Sequence, residues 1–489
     1  MKALLCLVAT LSLVVASHAE RPNIVLVVSD DLGYGDLACY GARDVQTPHL
    51  DRFAAEGARL TSCYAAHANC SPSRTGLMTG RTPTRVGVRD WIPEDSPVHV
   101  RKSEATVATL LRNAGYATCL SGKWHLNGEF NKPAQPQPND HGFDHWFATQ
   151  NNAYPNHKNP DNFARNGEAV GKLEGYAAHL VADEAQRWLT MLRNKSKPFF
   201  LYVAFHEPHE PIASDERYTK LYPSDDPSYS AHHGNISQMD EAFGRVMRVL
   251  DAEGLRENTL VFFTSDNGPA ITRQHPHGSA GPLRDKKGSV YEGGIRVPGI
   301  LRWPGKVKPG TVMDAPVSSV DFLPTVCALT GIAPPADRVL DGANMLPLLD
   351  GAPVERRTPL YWHFNRATGG PQVAMRIGDW KLLATLDKPA AARGNDITEE
   401  TEHDFKTAEP AAFELYNLRT DIGETTDLAA KEPARFEEMK AALMKKYHEV
   451  REESPTWPAW KFTGAEGKRI VWPDYVKKPQ VRAATVPVK

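Results

Sequence analysis

Three things are scarce in this chain of 489 residues, and each scarcity removes a class of function. Neither sign of charge dominates: 57 Lys and Arg stand against 59 Asp and Glu, a formal net charge of −2. Neutralising a phosphate backbone needs a basic excess, so nucleic acid is excluded as a partner. Long apolar runs are scarce as well. Only Ala3 to Ala16, behind Lys2, forms one, and it falls short of the ~20 residues that span a bilayer. Followed by Ser17-His18-Ala19, it reads as a cleaved secretory signal over residues 1–19. The mature protein is thus expected to be secreted or periplasmic, with no membrane span. Cysteine is sparse too. Beyond Cys6 in the leader there remain Cys39, Cys63, Cys70, Cys119 and Cys327, an odd set too small for a disulfide framework. Their pairing stays open, and at least one cysteine needs a separate explanation. There is no internal repeat and no low-complexity tract.

What is present is an alternation of buried-type strands and helical stretches, the pattern of βαβ units around a parallel sheet covered on both faces. Strands are expected over 23–29, 116–120, 198–205 and 259–264, and helices from Thr47-Pro48 to Gly57, over 176–193 and over 238–253. Beyond about residue 349 the pieces shorten: strands over 358–364, 372–386 and 413–418, then an amphipathic helix over 433–451. The fold class is therefore α/β: a large, mostly parallel sheet sandwiched by helices over 20–350, with a smaller antiparallel sheet plus helix over 351–475. Residues 130–166, rich in Pro, Asn and His, read as a long ordered loop or lid, and the stretch from Lys461 as an extended tail, closing with residues 476–489.

Polar residues gather just after four of the strands: Asp30-Asp31, Lys123 and His125, His206 and His209, Asp266-Asn267. Ligands of open α/β sheets bind beyond the carboxyl ends of strands, so all four nominate one site. Three carboxylates and an amide are hard oxygen donors of the kind calcium or magnesium takes. Either acidic pair alone would more often cap a turn. Cys70-Ser71-Pro72-Ser73-Arg74 follows, with Ser71 and Pro72 as expected cap and first position of a helix, which puts Cys70 at its positive end. Such a place attracts anions and lowers a thiol pKa, so an ordinary cysteine nucleophile competes, as does a disulfide to Cys63. Arg74 falls one turn along the same face.

The run Cys70-Ser71-Pro72-Ser73-Arg74, continuing to Gly80-Arg81, resembles the signature of the type I, formylglycine-dependent sulfatases, arylsulfatase A-like members of the alkaline phosphatase superfamily. The likeness extends along nearly the whole chain: Pro22-Asn23-Ile24, Asp30-Asp31-Leu32-Gly33, Gly122-Lys123-Trp124-His125, His206-Glu207-Pro208-His209, Ser265-Asp266-Asn267-Gly268, Lys286-Lys287-Gly288, Gly378-Asp379-Trp380-Lys381 and Glu414-Leu415-Tyr416-Asn417. The resemblance implies an alkaline-phosphatase-like fold and hydrolysis of sulfate esters. A formylglycine-generating enzyme oxidises Cys70, and one hydroxyl of the hydrated aldehyde attacks sulfur to give a covalent sulfo-enzyme intermediate. The second hydroxyl then expels sulfate by carbon–oxygen cleavage. Carried over by position, Asp30, Asp31, Asp266, Asn267 and residue 70 hold Ca2+. Arg74 and Lys123 hold the gem-diol, and His125 takes a proton. His209 or Lys287 attends the leaving oxygen, and His206 and Arg284 contact substrate. Apart from the resemblance, Asn151 and His157 of the polar loop are candidate sugar contacts, whose commoner role is packing or loop folding.

Secretion and the polar loop suit a sulfated carbohydrate, with Trp146 and Tyr154 as further loop residues whose commoner role is packing. Two other functions fit the same fold. A phosphatase or phosphodiesterase of the superfamily would want Ser or Thr as nucleophile and two transition-metal sites. A glycan-binding protein without turnover would be marked by a broken metal set. The sequons at Asn69, Asn194 and Asn235 matter only in a eukaryotic host.

Overall fold

The computed structural model describes residues 21–388 and 395–477. The expected signal and the end of the tail lie outside the described residues. At the centre five strands run parallel in the order 259–265, 23–30, 199–208, 117–123 and 145–149. Antiparallel or short strands extend both edges to a ten-stranded mixed sheet.

The central strands are apolar on both faces, and the structure explains why. Val25 and Val27 of Asn23–Asp30 pack with Leu201, Val203 and Phe205 against helices Pro48–Glu56, Ala177–Arg187 and Pro227–Ala252. Ile24, Leu26 and Val28 point the other way, with Phe200, Tyr202 and Ala204, onto Cys70–Thr79, Val107–Asn113 and Phe322–Thr330. A strand covered twice loses the alternation of a half-exposed one. Gly122 lets two of these strands meet. It has φ +114°, and a Cβ there would lie 1.8 Å from the Ala204 carbonyl oxygen.

A separate antiparallel sheet, 360–363, 373–377, 380–386 and 410–417, lies between two layers. One face takes Met439, Leu443, Tyr447 and Val450 of helix Pro433–Glu453, and the other packs on Tyr64, Val290, Tyr291 and Ile295. At this seam Lys381, wholly buried, sits 2.9 Å from both Glu292 and Glu424. All five described cysteines are free thiols. No helix among the described residues is long and apolar enough to cross a membrane.

Several expectations are corrected. The stretch 130–166 is no simple loop: His145–Thr149 joins the main sheet, and Trp146 is buried between Phe130 and the core. The helix expected from residue 238 begins at Pro227, with Asp226 capping Ser228. Helix Pro48–Glu56 is where expected, but its first amides are capped by Asp240, through His49 N and Leu50 N, while Thr47 caps nothing. The stretch 372–386 is a hairpin of two strands. The tail from Lys461 is not extended: Ala465–Arg469 and Asp474–Lys477 are short helices that fold back over the protein.

Candidate active site

Strand Asn23–Asp30 ends in Asp30, and Asp31 turns away in the left-handed region at φ 67°. Such a backbone is costly outside glycine and persists where neighbours over-determine it. The neighbours are specific. The Asp31 amide donates to Asp266 Oδ1 at 3.2 Å, and Asn267 Nδ2 donates to Asp31 Oδ1 at 2.7 Å. His125, two residues past the end of Ala117–Lys123, is left-handed as well, at φ 57°.

Cations thread this acidic cluster. Lys123 Nζ is 2.5 Å from Asp30 Oδ2, and Lys287 Nζ is 2.7 Å from Asp31 Oδ1. Arg74 holds Asp266 Oδ2 through Nε at 2.9 Å and Nη2 at 2.8 Å, and its Nη1 reaches the Lys123 carbonyl at 3.2 Å. Burial works to raise the Asp30 carboxyl, but Lys123, His209, Arg74 and Lys287 overcome it and hold it well below the usual range. Asp266 goes the other way, to about 7, because burial and the Asp30 charge outweigh Arg74. Two oxygens are left over: Asp30 Oδ1 and Asn267 Oδ1 are buried without a hydrogen-bond donor. Oxygens of Asp30 and Asp31 and a ring nitrogen of His209 lie within 4.8 Å of one another, a grouping that suits a cation.

Cys70 stands beside this cluster as the first residue of its helix. The cap is Asn69, which accepts the Cys70 amide at 3.1 Å, so Ser71 and Pro72 stand two positions further into the helix than expected. Asn69 also donates to Asp90 Oδ1 at 2.8 Å. The thiol does not behave as its helix position alone suggests. Burial pushes it up to about 11, against the pull of Lys123 and Lys287. A plain cysteine nucleophile is disfavoured accordingly.

His125, His157 and His206 are buried and His209 is partly exposed; burial lowers the pKa of all four. His125 Nε2 donates to the Ile92 carbonyl at 3.1 Å, which leaves Nδ1 as a free acceptor, and burial with Lys123 and Arg74 lowers its pKa far below the usual value. His209 Nε2 is 3.6 Å from Asp31. His206 holds Thr149 Oγ1 at 2.8 Å, and His157 lies 3.8 Å from Glu207. Asn151 is buried, with Oδ1 unpartnered. Arg284 is placed apart, over the Tyr291 ring, bonded to Tyr416 and to the Glu424 carbonyl. Sequence reasoning missed Asn69, although Asn is a favoured cap residue. It also missed Tyr202, which meets Arg74 at 3.4 Å, and Glu466, which enters from the far end of the chain.

Known proteins resemble this chain over most of its length. The sulfatase family model matches residues 22–332, and a model described as N-sulphoglucosamine sulphohydrolase, C-terminal, matches 283–400. N-acetylgalactosamine-6-sulfatase of Rattus norvegicus is 35% identical over 404 residues, covering 77% of this chain and 74% of that protein. Human arylsulfatase A is 34% identical over 451 residues, 84% of each. Among solved structures, Ps i-CgsB in complex with k-i-k-neocarrahexaose superposes with a TM-score of 0.78 at 28% identity, covering 92% of this chain and 97% of that one. With an alkaline-phosphatase-like sheet and a buried Cys70 among matched carboxylates and cations, the chain belongs to the sulfatase family and is a sulfuric ester hydrolase.

Proposed function

We propose that this protein, exported from the cytoplasm, removes sulfate from sulfated carbohydrates, with residue 70 working as formylglycine and Ca2+ held by Asp30, Asp31, Asp266 and Asn267. The working unit spans residues 20–350, with 351–475 as its companion. One observation carries the reading: Cys70 starts a helix against the carboxyl ends of parallel strands, where Lys123, Lys287, Asp30 and Asp266 all bear on it electrostatically. The sugar assignment takes support from the relatives' names and from the neocarrahexaose bound to Ps i-CgsB.

The donor set fits the ion. It is all oxygen, and Asp30 Oδ1 and Asn267 Oδ1 lack any other partner. Bound there, a hard divalent cation supplies positive charge that favours an ionised hydroxyl and withdraws density from sulfate oxygens. Residue 70, oxidised by a formylglycine-generating enzyme and hydrated, brings two hydroxyls on one carbon.

The remaining steps belong to the chain's own side chains. Arg74 and Lys123, locked by Asp266 and Asp30, orient those hydroxyls. His125 stays neutral with Nδ1 open, the state a general base needs to accept a proton. Lys287 keeps its proton: burial favours losing it, but Asp31 leads a set of charges that raise its pKa. It therefore offsets charge on the departing oxygen, next to His209. His206, His157 and Asn151 line the substrate side, and Arg284 acts through the loop that carries Lys287.

The test is peptide mass spectrometry of the Cys70 fragment after co-expression with the maturing enzyme, alongside aryl sulfate turnover. Conversion of thiol to aldehyde with chelator-sensitive turnover is expected. An unmodified Cys70 that turns over aryl sulfate equally well would refute the mechanism.

A further inference from the structure

Asn69, the residue before the cysteine, turns its side-chain amide toward residue 70. Its Oδ1 accepts the Cys70 amide at 3.1 Å and lies 3.8 Å from Cys70 Sγ. Where residue 70 is a hydrated aldehyde, an oxygen on its Cβ takes the place of that sulfur. The backbone of Asn69 is held separately: its N–H donates to His67 Nδ1 at 3.1 Å, and the other nitrogen of that ring donates to the His363 carbonyl at 3.2 Å.

A side-chain amide can face either way, and here its partners sort it. Asp90 Oδ1 accepts from Asn69 Nδ2 at 2.8 Å and from the Trp91 amide at 2.7 Å, while Asp90 Oδ2 pairs with Arg366 at 2.9 Å. An ionised carboxylate only accepts and a backbone N–H only donates, so the nitrogen of Asn69 points to Asp90 and its oxygen to residue 70. That oxygen has two lone pairs. One takes the Cys70 amide, and the other is free for the side chain of residue 70. The consequence is chemical. Water adding across the aldehyde carbonyl leaves two hydroxyls on one carbon, each a donor, whereas the aldehyde has none. A fixed acceptor beside that carbon therefore favours the diol, the form that attacks sulfur.

We propose that Asn69 is a further residue of the reaction centre: its Oδ1 accepts a hydrogen bond from one hydroxyl of hydrated residue 70 and shifts the aldehyde toward the diol, with Asp90 as the positioning residue that keeps that oxygen turned inward. The proposal rests on the formylglycine reading and adds to it a preference between two forms of the same residue. Through Arg366 the C-terminal part of the chain reaches this pair.

The experiment uses the full chain, oxidised at residue 70 and isotopically labelled at the cysteine Cβ, in EDTA so that no cation biases the equilibrium. Carbon NMR reads the ratio of diol to aldehyde. Where the aldehyde is too scarce to see, the rate at which methoxyamine captures it, followed by the mass of the Cys70 peptide, reads the same ratio. In Asn69→Ala the ratio falls about fivefold, the worth of one ordinary hydrogen bond. Asp90→Ala gives a fall of the same order, the double variant falls no further than Asn69→Ala alone, and Asp90→Asn, which keeps an acceptor for Asn69, recovers most of the loss. Leu443→Ala, which empties a buried position far from the site, keeps the wild-type ratio, so the measurement does not read lost stability. A ratio in Asn69→Ala equal to that of the wild type overturns the proposal, and one that shifts there but not in Asp90→Ala removes Asp90 from it. Wild-type protein that turns over aryl sulfate with Cys70 still a thiol overturns the formylglycine reading instead.

Discussion

Replacing Lys381 by methionine removes one charge from the seam between the main sheet and the C-terminal sheet, and leaves two acids behind. Lys381 Nζ is 2.9 Å from Glu292 Oε1 and 2.9 Å from Glu424 Oε1, and all three side chains are fully buried. Burial opposes both charged acids. The lysine, with Arg296, holds Glu292 below the usual carboxylate range, whereas Glu424 sits above it. Removing one partner of a buried pair costs roughly 3–5 kcal/mol. Some relief is built in: Glu424 is ready to take a proton, and Glu292 keeps Tyr64 at 2.6 Å and Arg296 at 3.2 Å. The expected loss is therefore near the lower end, about 3 kcal/mol, read as a fall in unfolding free energy by urea titration at neutral pH. The double variant Lys381→Met, Glu424→Gln regains at least half of it, because the one acid left charged, Glu292, still has Arg296 as its partner. A loss below about 1 kcal/mol in the single variant, or no recovery in the double, would refute the reasoning.

Gly122→Ala forces a Cβ to 1.8 Å from the Ala204 carbonyl at a positive φ, so a loss of about 3 kcal/mol or more is expected in thermal unfolding. Leu443→Ala empties a fully buried position between helix and small sheet and costs about 2–5 kcal/mol, measurable by the same urea titration. Burial pushes Asp240 up to about 7, above its value of 3.8 in an unfolded chain. A raised folded pKa favours the native state below the unfolded value, and that contribution is lost as pH climbs from about 4 to 7; in Asp240→Asn, unfolding free energies at pH 4.5 and 7.5 should differ by less than in the wild type. EDTA should abolish aryl sulfate turnover of the oxidised protein, with Ca2+ restoring it better than Zn2+, as an all-oxygen donor set requires.

What could be read from sequence follows from how local each signal is. Strand Asn23–Asp30 is legible because both of its faces are buried, so its run of Ile, Val and Leu is continuous. Its terminal acids, the cysteine at a helix start and the clusters at Lys123, His206 and Asp266 were legible as strand-end chemistry. His145–Thr149 was hidden by the polar flanks around five residues. The first half of Pro227–Ala252 was hidden by its Ser, His, Gly and Asn, which face other polar groups rather than a simple apolar core. The cap of Pro48–Glu56 could not be found locally, because Asp240 comes from a helix nearly two hundred residues away. Glu466 carries no pattern at all. Only the fold of the helix Ala465–Arg469 brings it to the Asn151 side chain.

Cys70 is 3% exposed, out of reach of any macromolecule once the protein has folded. An enzyme that alters this thiol must therefore meet the chain during biosynthesis, before the sheet closes over it. The fold leaves time for that encounter. Lys123, Asp266 and Lys287, whose charges bear on the thiol in the finished protein, follow it along the chain, the last by more than two hundred residues. At ordinary rates of synthesis that interval is roughly 10–40 s. The order of residues along the polypeptide thus acts as a timer, setting an interval in which residue 70 exists without those charges around it.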